Sequence, residues 1–280
     1  MVDNNSGAYQ AMMAQYPDAV LVNAAGGQKS VYKSHHPVHG QVAIKIGKAG
    51  SADIMKRIQR EVELLQEINS DYYPRNHEFR TIPPDEFIIV EEYVEGQPLS
   101  ACLGNYDDAD TVLQLIRNIV VGLWCLWERR VVHRDIKPDN IIIRSSGAPK
   151  IIDLGIARCL DQTPLTNPLA WFGPCTPAYA APEQLLNRIS EIGWRTDQFA
   201  LGIVLVQLLI GQHPFDPAVV GTGQSIPHNI VDGHWARTLL AAKAQEGTSA
   251  LCSTMLQKQP FGRYRKPDQL LKALDALLED

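Results

Sequence analysis

The densest chemistry in the sequence lies at His133-Arg134-Asp135-Ile136-Lys137-Pro138-Asp139-Asn140. Within six residues, from Asp135 to Asn140, it supplies a carboxylate, a cation and an amide. Moving a phosphoryl group onto a hydroxyl asks for such a set. A carboxylate must sit near the incoming oxygen, oxygen ligands must hold a divalent cation, and positive charge must meet the phosphates. After a short apolar run, Lys150-Ile151-Ile152 leads into Asp153-Leu154-Gly155. A carboxylate at a strand end, followed by glycine, is suited to a metal. Upstream, Val42-Ala43-Ile44-Lys45 sets a lysine inside an apolar strand. Burying that lysine is costly unless an anion meets it. Phosphate, or Glu61 on the next expected helix, can do so.

The elements that must position these groups are legible in outline. Residues 19–46 alternate and carry β-branched side chains, which predicts short strands around a Gly-containing turn. Ser51 can cap a helix over 51–69, along which Ile54, Ile58, Val62, Leu65 and Ile68 recur at helical spacing. A strand is expected at Phe87–Val90 and a connector at Gly96–Ser100. From about Asp110 the pattern is helical, with a broad apolar face from Val112 to Trp127. Short strands follow at 141–143 and 150–152, then a long ordered loop over 155–183, of a length that is usually functional. The remainder is mostly helix, ending in Pro267–Leu278. Strands first and helices later indicate an α+β protein with a small sheet lobe and a larger helical lobe.

Bulk properties narrow the function. The 280 residues are 45% hydrophobic and 20% charged, ordinary for a globular chain. A net charge of -5 gives no basic footprint for nucleic acid. Five cysteines, none in a C-x-x-C pair, fit a reducing, cytoplasmic compartment better than a disulfide framework or a zinc site. Residues 1–16 do not read as a secretory signal. The apolar stretch Phe199–Ile210 is too short to cross a bilayer and reads as a buried helix.

The segments together resemble the eukaryotic-like serine/threonine protein kinases, in their bacterial, stand-alone style. The resemblance rests on V-A-I-K at 42–45, H-R-D-I-K-P-D-N at 133–140, D-L-G at 153–155 and A-P-E at 181–183, in the family's order and spacing. It continues in Thr176-Pro177-Ala178-Tyr179, Asp197–Gly202, Gly211–Phe215 and Arg263. It implies a two-lobed kinase fold, with residues 1–94 as the sheet lobe and 95–280 as the helical lobe. It also implies transfer of the γ-phosphate of ATP to Ser or Thr of a protein substrate, with autophosphorylation. ATP and Mg²⁺ are the implied cofactors, with Mn²⁺ a substitute. A regulatory partner protein is compatible with it. Nucleic acid and membrane are not expected partners.

Site roles follow from the same resemblance. Lys45 would bind the α- and β-phosphates and pair with Glu61. Asp135 would accept the proton of the substrate hydroxyl, and Lys137 would contact the γ-phosphate. Asn140 and Asp153 would hold the metal. Gly26, Gly27, Val31 and Ala43 would surround the nucleotide, while Glu92 and Val94 would present backbone groups to the adenine. Thr176 would seat the residue after the phosphosite and brace Asp135. Glu183 would pair with Arg263. Arg134 implies regulation by a phosphate on the preceding loop, for which Thr163 and Thr166 are the candidate sites.

Three positions depart from the family. The phosphate-covering loop reads Ala24-Ala25-Gly26-Gly27-Gln28-Lys29-Ser30-Val31, keeping only the middle glycine of its pattern. Lys29 either reaches phosphate or points into water, as exposed lysines usually do. Leu154 replaces the usual Phe, a tolerable swap in an apolar slot. Glu91 stands at the residue guarding the pocket behind adenine, where it can bond to backbone or to the Lys45–Glu61 region. Other features have plainer readings. His35, His36 and His39 read as a solvated hairpin turn rather than a metal site, since no cysteine or carboxylate accompanies them. Cys175 reads as a loop filler before a redox thiol, and Trp171 and Phe172 as docking or packing residues. Two other functions compete: a pseudokinase, favoured only by the altered loop, and a small-molecule kinase, which would lack A-P-E and T-P-x-Y.

Overall fold

The alternating segment 19–46 becomes antiparallel sheet. In the computed structural model, which describes residues 6–23, 29–68, 70–153 and 176–279, the chain divides into two compact units, with a break between Glu95 and Gly96.

The first unit opens with helix α1 (Gly7–Gln15) and continues through β1 (Val20–Asn23), β2 (Lys29–His36), β3 (Gly40–Lys48), helix α2 (Ala52–Glu67), β4 (Asn76–Ile82) and β5 (Glu86–Glu92). The sheet order is β1-β2-β3-β5-β4, and all neighbours are antiparallel. The period of two sorts the two faces. Val42, Ile44 and Ile46 of β3, with Ile88 and Val90 of β5, bury against Ala8 and Met12 of α1 and against Tyr16 and Tyr32. Phe87 and Ile89 pack on the opposite face with Ile58 and Val62 of α2. Lys45 and Ala43 fall on that second face by alternation. Helix α2 starts where Ser51 Oγ accepts the Ile54 amide at 3.3 Å.

Two elements escape sequence pattern. Helix α1 is short and holds its place by burying Met12 and Tyr16 and by the Ser6 cap, whose Oγ accepts the Tyr9 amide at 3.1 Å. Its stability is tertiary rather than intrinsic. Strand β4 reads Asn-His-Glu-Phe-Arg-Thr-Ile and is half-buried at the sheet edge, so it lacks a clean alternation. The histidine turn forms as expected, with residues 37–39 in the turn and His35 and His39 exposed. Its rings also stack. His39 stacks on His36 at 4.5 Å and on His77 of β4 at 4.0 Å between centroids.

In the second unit, β6 (Gln97–Pro98) pairs with β7 (Ile141–Ile143), and β7 with β8 (Pro149–Ile151). Helix α3 (Ala109–Trp127) begins at Asp108, whose carboxylate accepts the Thr111 amide and hydroxyl at 2.8 and 2.7 Å. Further along come α4 (Pro182–Leu185), α5 (Trp194–Ile210), α6 (Pro217–Val220), α7 (Ile226–Asp232), α8 (Arg237–Lys243), α9 (Glu246–Met255) and α10 (Pro267–Glu279). Helix α5 is apolar nearly all round because it is buried nearly all round. It ends at Gly211 with φ 76°, a left-handed cap that glycine adopts without penalty. Among the described residues α3 is the one helix long and apolar enough to cross a membrane, but here it packs against α5, α10 and β8 as a core helix.

Candidate functional site

The segment from 128 to 140 links α3 to β7 without regular structure until a turn of 3-10 helix at Pro138–Asn140. What fixes it is Asp197, near the start of α5. This fully buried carboxylate accepts the backbone amides of His133 and Arg134, both at 2.8 Å, and the indole Nε1–H of Trp127 at 2.9 Å. Burial pushes the Asp197 carboxyl up, while His133 and the three donors act in the opposite direction. Arg134 sits at φ 65°, a left-handed conformation that costs an ordinary residue about 1–2 kcal/mol. Its amide bond to Asp197 and the Gln184 Nε2 bond to its carbonyl at 3.0 Å hold it there. From sequence, Asp197 belongs to a motif and Trp127 to the core, and neither shows this task. Gln184 was missed, and its only signal was a polar residue directly after A-P-E.

His133 then ties the loop to the strand end that carries Asp153. Its Nδ1 accepts the Asp135 amide at 3.3 Å, and its Nε2 donates to the Ile152 carbonyl at 3.2 Å. The Ile152 amide in turn donates to the Asn140 carbonyl at 2.9 Å. Asp153 follows at φ 55°.

Three predicted side chains come together around Asp135. Its Oδ1 accepts the Thr176 hydroxyl at 2.8 Å. Its Oδ2 accepts Asn140 Nδ2 at 3.2 Å, and the same nitrogen donates to the Asp135 carbonyl at 2.8 Å. Lys137 Nζ reaches Thr176 Oγ1 at 2.9 Å and Asp135 Oδ2 at 3.3 Å. The carboxylate is therefore oriented from both edges and stays partly open to solvent. Asn140 spends its amide nitrogen on Asp135, which leaves Oδ1 as the atom able to ligate. A carboxylate and an amide oxygen suit Mg²⁺, a hard cation that takes oxygen donors, so these residues fit the metal their pattern implies.

In the first unit, Lys45 is buried and forms an ion pair with Glu91 of β5. Val31 and Ala43 are placed opposite Lys45 and Lys33 in the β2–β3 ladder. Glu92 donates its amide to the Arg75 carbonyl at 2.8 Å, and Val94 follows just beyond the strand. Gly26, Gly27, Leu154, Thr163, Thr166, Trp171, Phe172 and Cys175 lie outside the described residues, as do the side chains of Glu61 and Lys29.

Around Thr176 the chain is braced by the helices. Tyr179 donates to Gln207 Oε1 at 2.8 Å, and burial pushes its phenol up to about 12. His213 donates from Nε2 to the Ala178 carbonyl at 2.9 Å and accepts the Phe215 amide on Nδ1 at 3.3 Å. Burial pulls its imidazole from the usual 6.5 down to about 4. The unfolded chain therefore takes up a proton near pH 6.5 that the folded chain refuses until about pH 4. Stability should fall as pH drops through that window, by roughly 2 kcal/mol from this group at pH 5. Urea melts at pH 7 and pH 5 check this: the loss should be smaller in His213→Asn than in the parent, and equal losses would remove His213 as the cause.

The catalytic-loop geometry, the sheet with its buried lysine and the helical unit define a protein kinase fold. A family model described as "Protein kinase domain" matches residues 25–273. The chain is 34% identical over 200 residues to the serine/threonine-protein kinase Pkn1 of Myxococcus xanthus, covering 68% of this chain and 28% of that protein. It is 28% identical over 264 residues to the serine/threonine-protein kinase PknA of Corynebacterium glutamicum, covering 90% of this chain and 54% of the relative. The chain thus spans about half or less of the length of these relatives. Rad53 residues 1–466, solved in complex with AMP-PNP, share the fold with a TM-score of 0.70 at 24% identity, over 93% of this chain and 65% of that one. The chain belongs to the eukaryotic-like serine/threonine protein kinase family.

Proposed function

We propose that the chain transfers the γ-phosphate of ATP to serine and threonine hydroxyls of proteins, itself included. The observation that carries the reading is the Asp135 carboxylate held by Thr176 and Asn140 with Lys137 beside it. In this reading the substrate oxygen forms a bond to the γ-phosphorus as the bond to the ADP oxygen breaks, and Asp135 takes the hydroxyl proton. Lys137 neutralises charge on the transferred group, and Thr176 keeps Asp135 aimed. Lys45 would meet the α- and β-phosphates. Glu92 and Val94 would present backbone groups to the adenine, with Gly26, Gly27, Val31 and Ala43 around the nucleotide. Asn140 and Asp153 would hold Mg²⁺, or Mn²⁺ in its place, which supplies charge neutralisation on the phosphates. Residues 1–94 serve nucleotide binding and 95–280 serve catalysis and substrate. The thiols of Cys102, Cys125 and Cys252, free in the structure, support work in a reducing compartment, the cytoplasm. The substrate is a protein, and a separate regulatory protein is compatible with the site.

Autophosphorylation tests the regulatory part. After incubation with Mg²⁺ and ATP, mass spectrometry should find phosphate on Thr163 or Thr166, where Arg134 could pair with it. An active enzyme whose Thr163→Ala/Thr166→Ala variant keeps full activity and the same phosphate content would remove both threonines from regulation.

A further inference from the structure

Lys45 and Glu91 belong to adjacent antiparallel strands. In the β3–β5 register Lys45 lies opposite Ile89 and Ala43 lies opposite Glu91, so the two charges are diagonal neighbours on one face of the sheet. Their side chains are 6% and 8% exposed. A charge taken this far from water is tolerated when an opposite charge and good geometry accompany it. The frame around the pair is tight. Just past Glu91, the Glu92 amide donates to the Arg75 carbonyl at 2.8 Å and the Tyr93 amide donates to the Gln41 carbonyl at 3.1 Å, so the end of β5 is tied to the chain on both of its sides. The position of the Glu91 carboxylate is therefore set by the register of the sheet, and not by the placement of α2, which carries Glu61.

We infer that Glu91 is a positioning residue for Lys45: its carboxylate, fixed by the β3–β5 register, holds the ammonium directed within the sheet, so that the lysine is preset for the phosphates of ATP. The residue at the back of the adenine pocket then has an electrostatic task as well as a steric one. Glu91 does not touch the reacting atoms in this account and acts only through Lys45. The inference rests on the kinase reading proposed above.

The test compares the parent chain with Glu91→Gln, Glu91→Asp, Glu61→Gln and Lys45→Met, reading the dissociation constant of a fluorescent ATP analogue and the KM and kcat for ATP. Parent protein that neither binds the analogue nor transfers phosphate would defeat the kinase reading itself. With an active parent, Glu91→Gln should weaken analogue binding and raise KM by about tenfold. Glu91→Asp should recover part of that loss, and Glu61→Gln should cost less than Glu91→Gln. In the Lys45→Met background, Glu91→Gln should add nothing further. Unchanged or tighter binding in Glu91→Gln would overturn the inference, as would an equal loss in the Lys45→Met background. If Glu91→Gln does not fold, Glu91→Asp decides: parental KM and parental analogue affinity in that variant overturn the inference, and weakened values sustain it.

Discussion

Asp135→Asn loses phosphate transfer by about three to four orders of magnitude, the upper range for removal of a general base, while its nucleotide affinity stays at the parental level. The side chain lies in the second unit and accepts from Thr176 and Asn140, with Lys137 at 3.3 Å. Asparagine has the same shape but replaces one acceptor oxygen by a donor nitrogen. Whichever way it is turned, that nitrogen faces a donor: Thr176 on one edge, or Asn140 and Lys137 on the other. The variant thus loses both the proton acceptor and part of its alignment. An unmatched polar contact of this kind costs about 1–3 kcal/mol of stability, so the fold survives and activity does not. Rapid-quench assays with labelled ATP, paired with equilibrium nucleotide binding, separate the two. Retained turnover would remove Asp135 from the base role. Lost binding together with lost turnover would point to general damage.

Arg263→Met should be the most destabilising single change. The side chains of Arg263 and Glu183 are 0% exposed and bonded twice, at 2.7 and 2.9 Å. Arg263 also donates to the carbonyls of Gln257, Arg195 and Lys258 at 2.8, 2.8 and 3.2 Å, so all five of its N–H groups are used. Its guanidinium lies 4.6 Å from the centroid of the Phe199 ring. Methionine fills the volume but leaves Glu183 with the Thr196 hydroxyl at 2.9 Å and no counter-charge. Breaking one side of a buried pair costs about 3–5 kcal/mol, which for a chain of this size lowers the melting temperature on the order of 10 °C. Thermal melts of Arg263→Met and of the Arg263→Met/Glu183→Leu double variant check the cause. The double variant should be more stable than the single one, since it removes the orphaned charge. Lysine cannot substitute, because it has three donors and no planar fork. A melting temperature within a degree or two of the parent would contradict the account.

The catalytic side of the second unit was legible because its chemistry sits in contiguous residues. Asp135, Lys137 and Asn140 lie within one octapeptide, and the turn at Pro138–Asn140 brings Asn140 back onto Asp135. Thr176 was legible only through resemblance, since nothing local announces a contact across 41 positions. The support beneath the loop was not legible. Trp127 reads as one more apolar residue on α3, and only the fold shows its indole N–H on Asp197. Strand β4 and helix α1 escaped because their stability comes from packing rather than from a periodic pattern. Glu91 was visible as an unusual carboxylate. Its partner depended on strand register, which a run of apolar residues such as Phe87–Val90 does not specify on its own.

The most direct test of the central claim is to incubate the chain with Mg²⁺, ATP labelled in the γ-phosphate and a panel of protein substrates and small hydroxyl compounds, followed by phosphoamino-acid analysis. Label should appear on protein, as phosphoserine or phosphothreonine, and should disappear in Asp135→Asn. Label confined to a small molecule, or no label anywhere although nucleotide is bound, would contradict it.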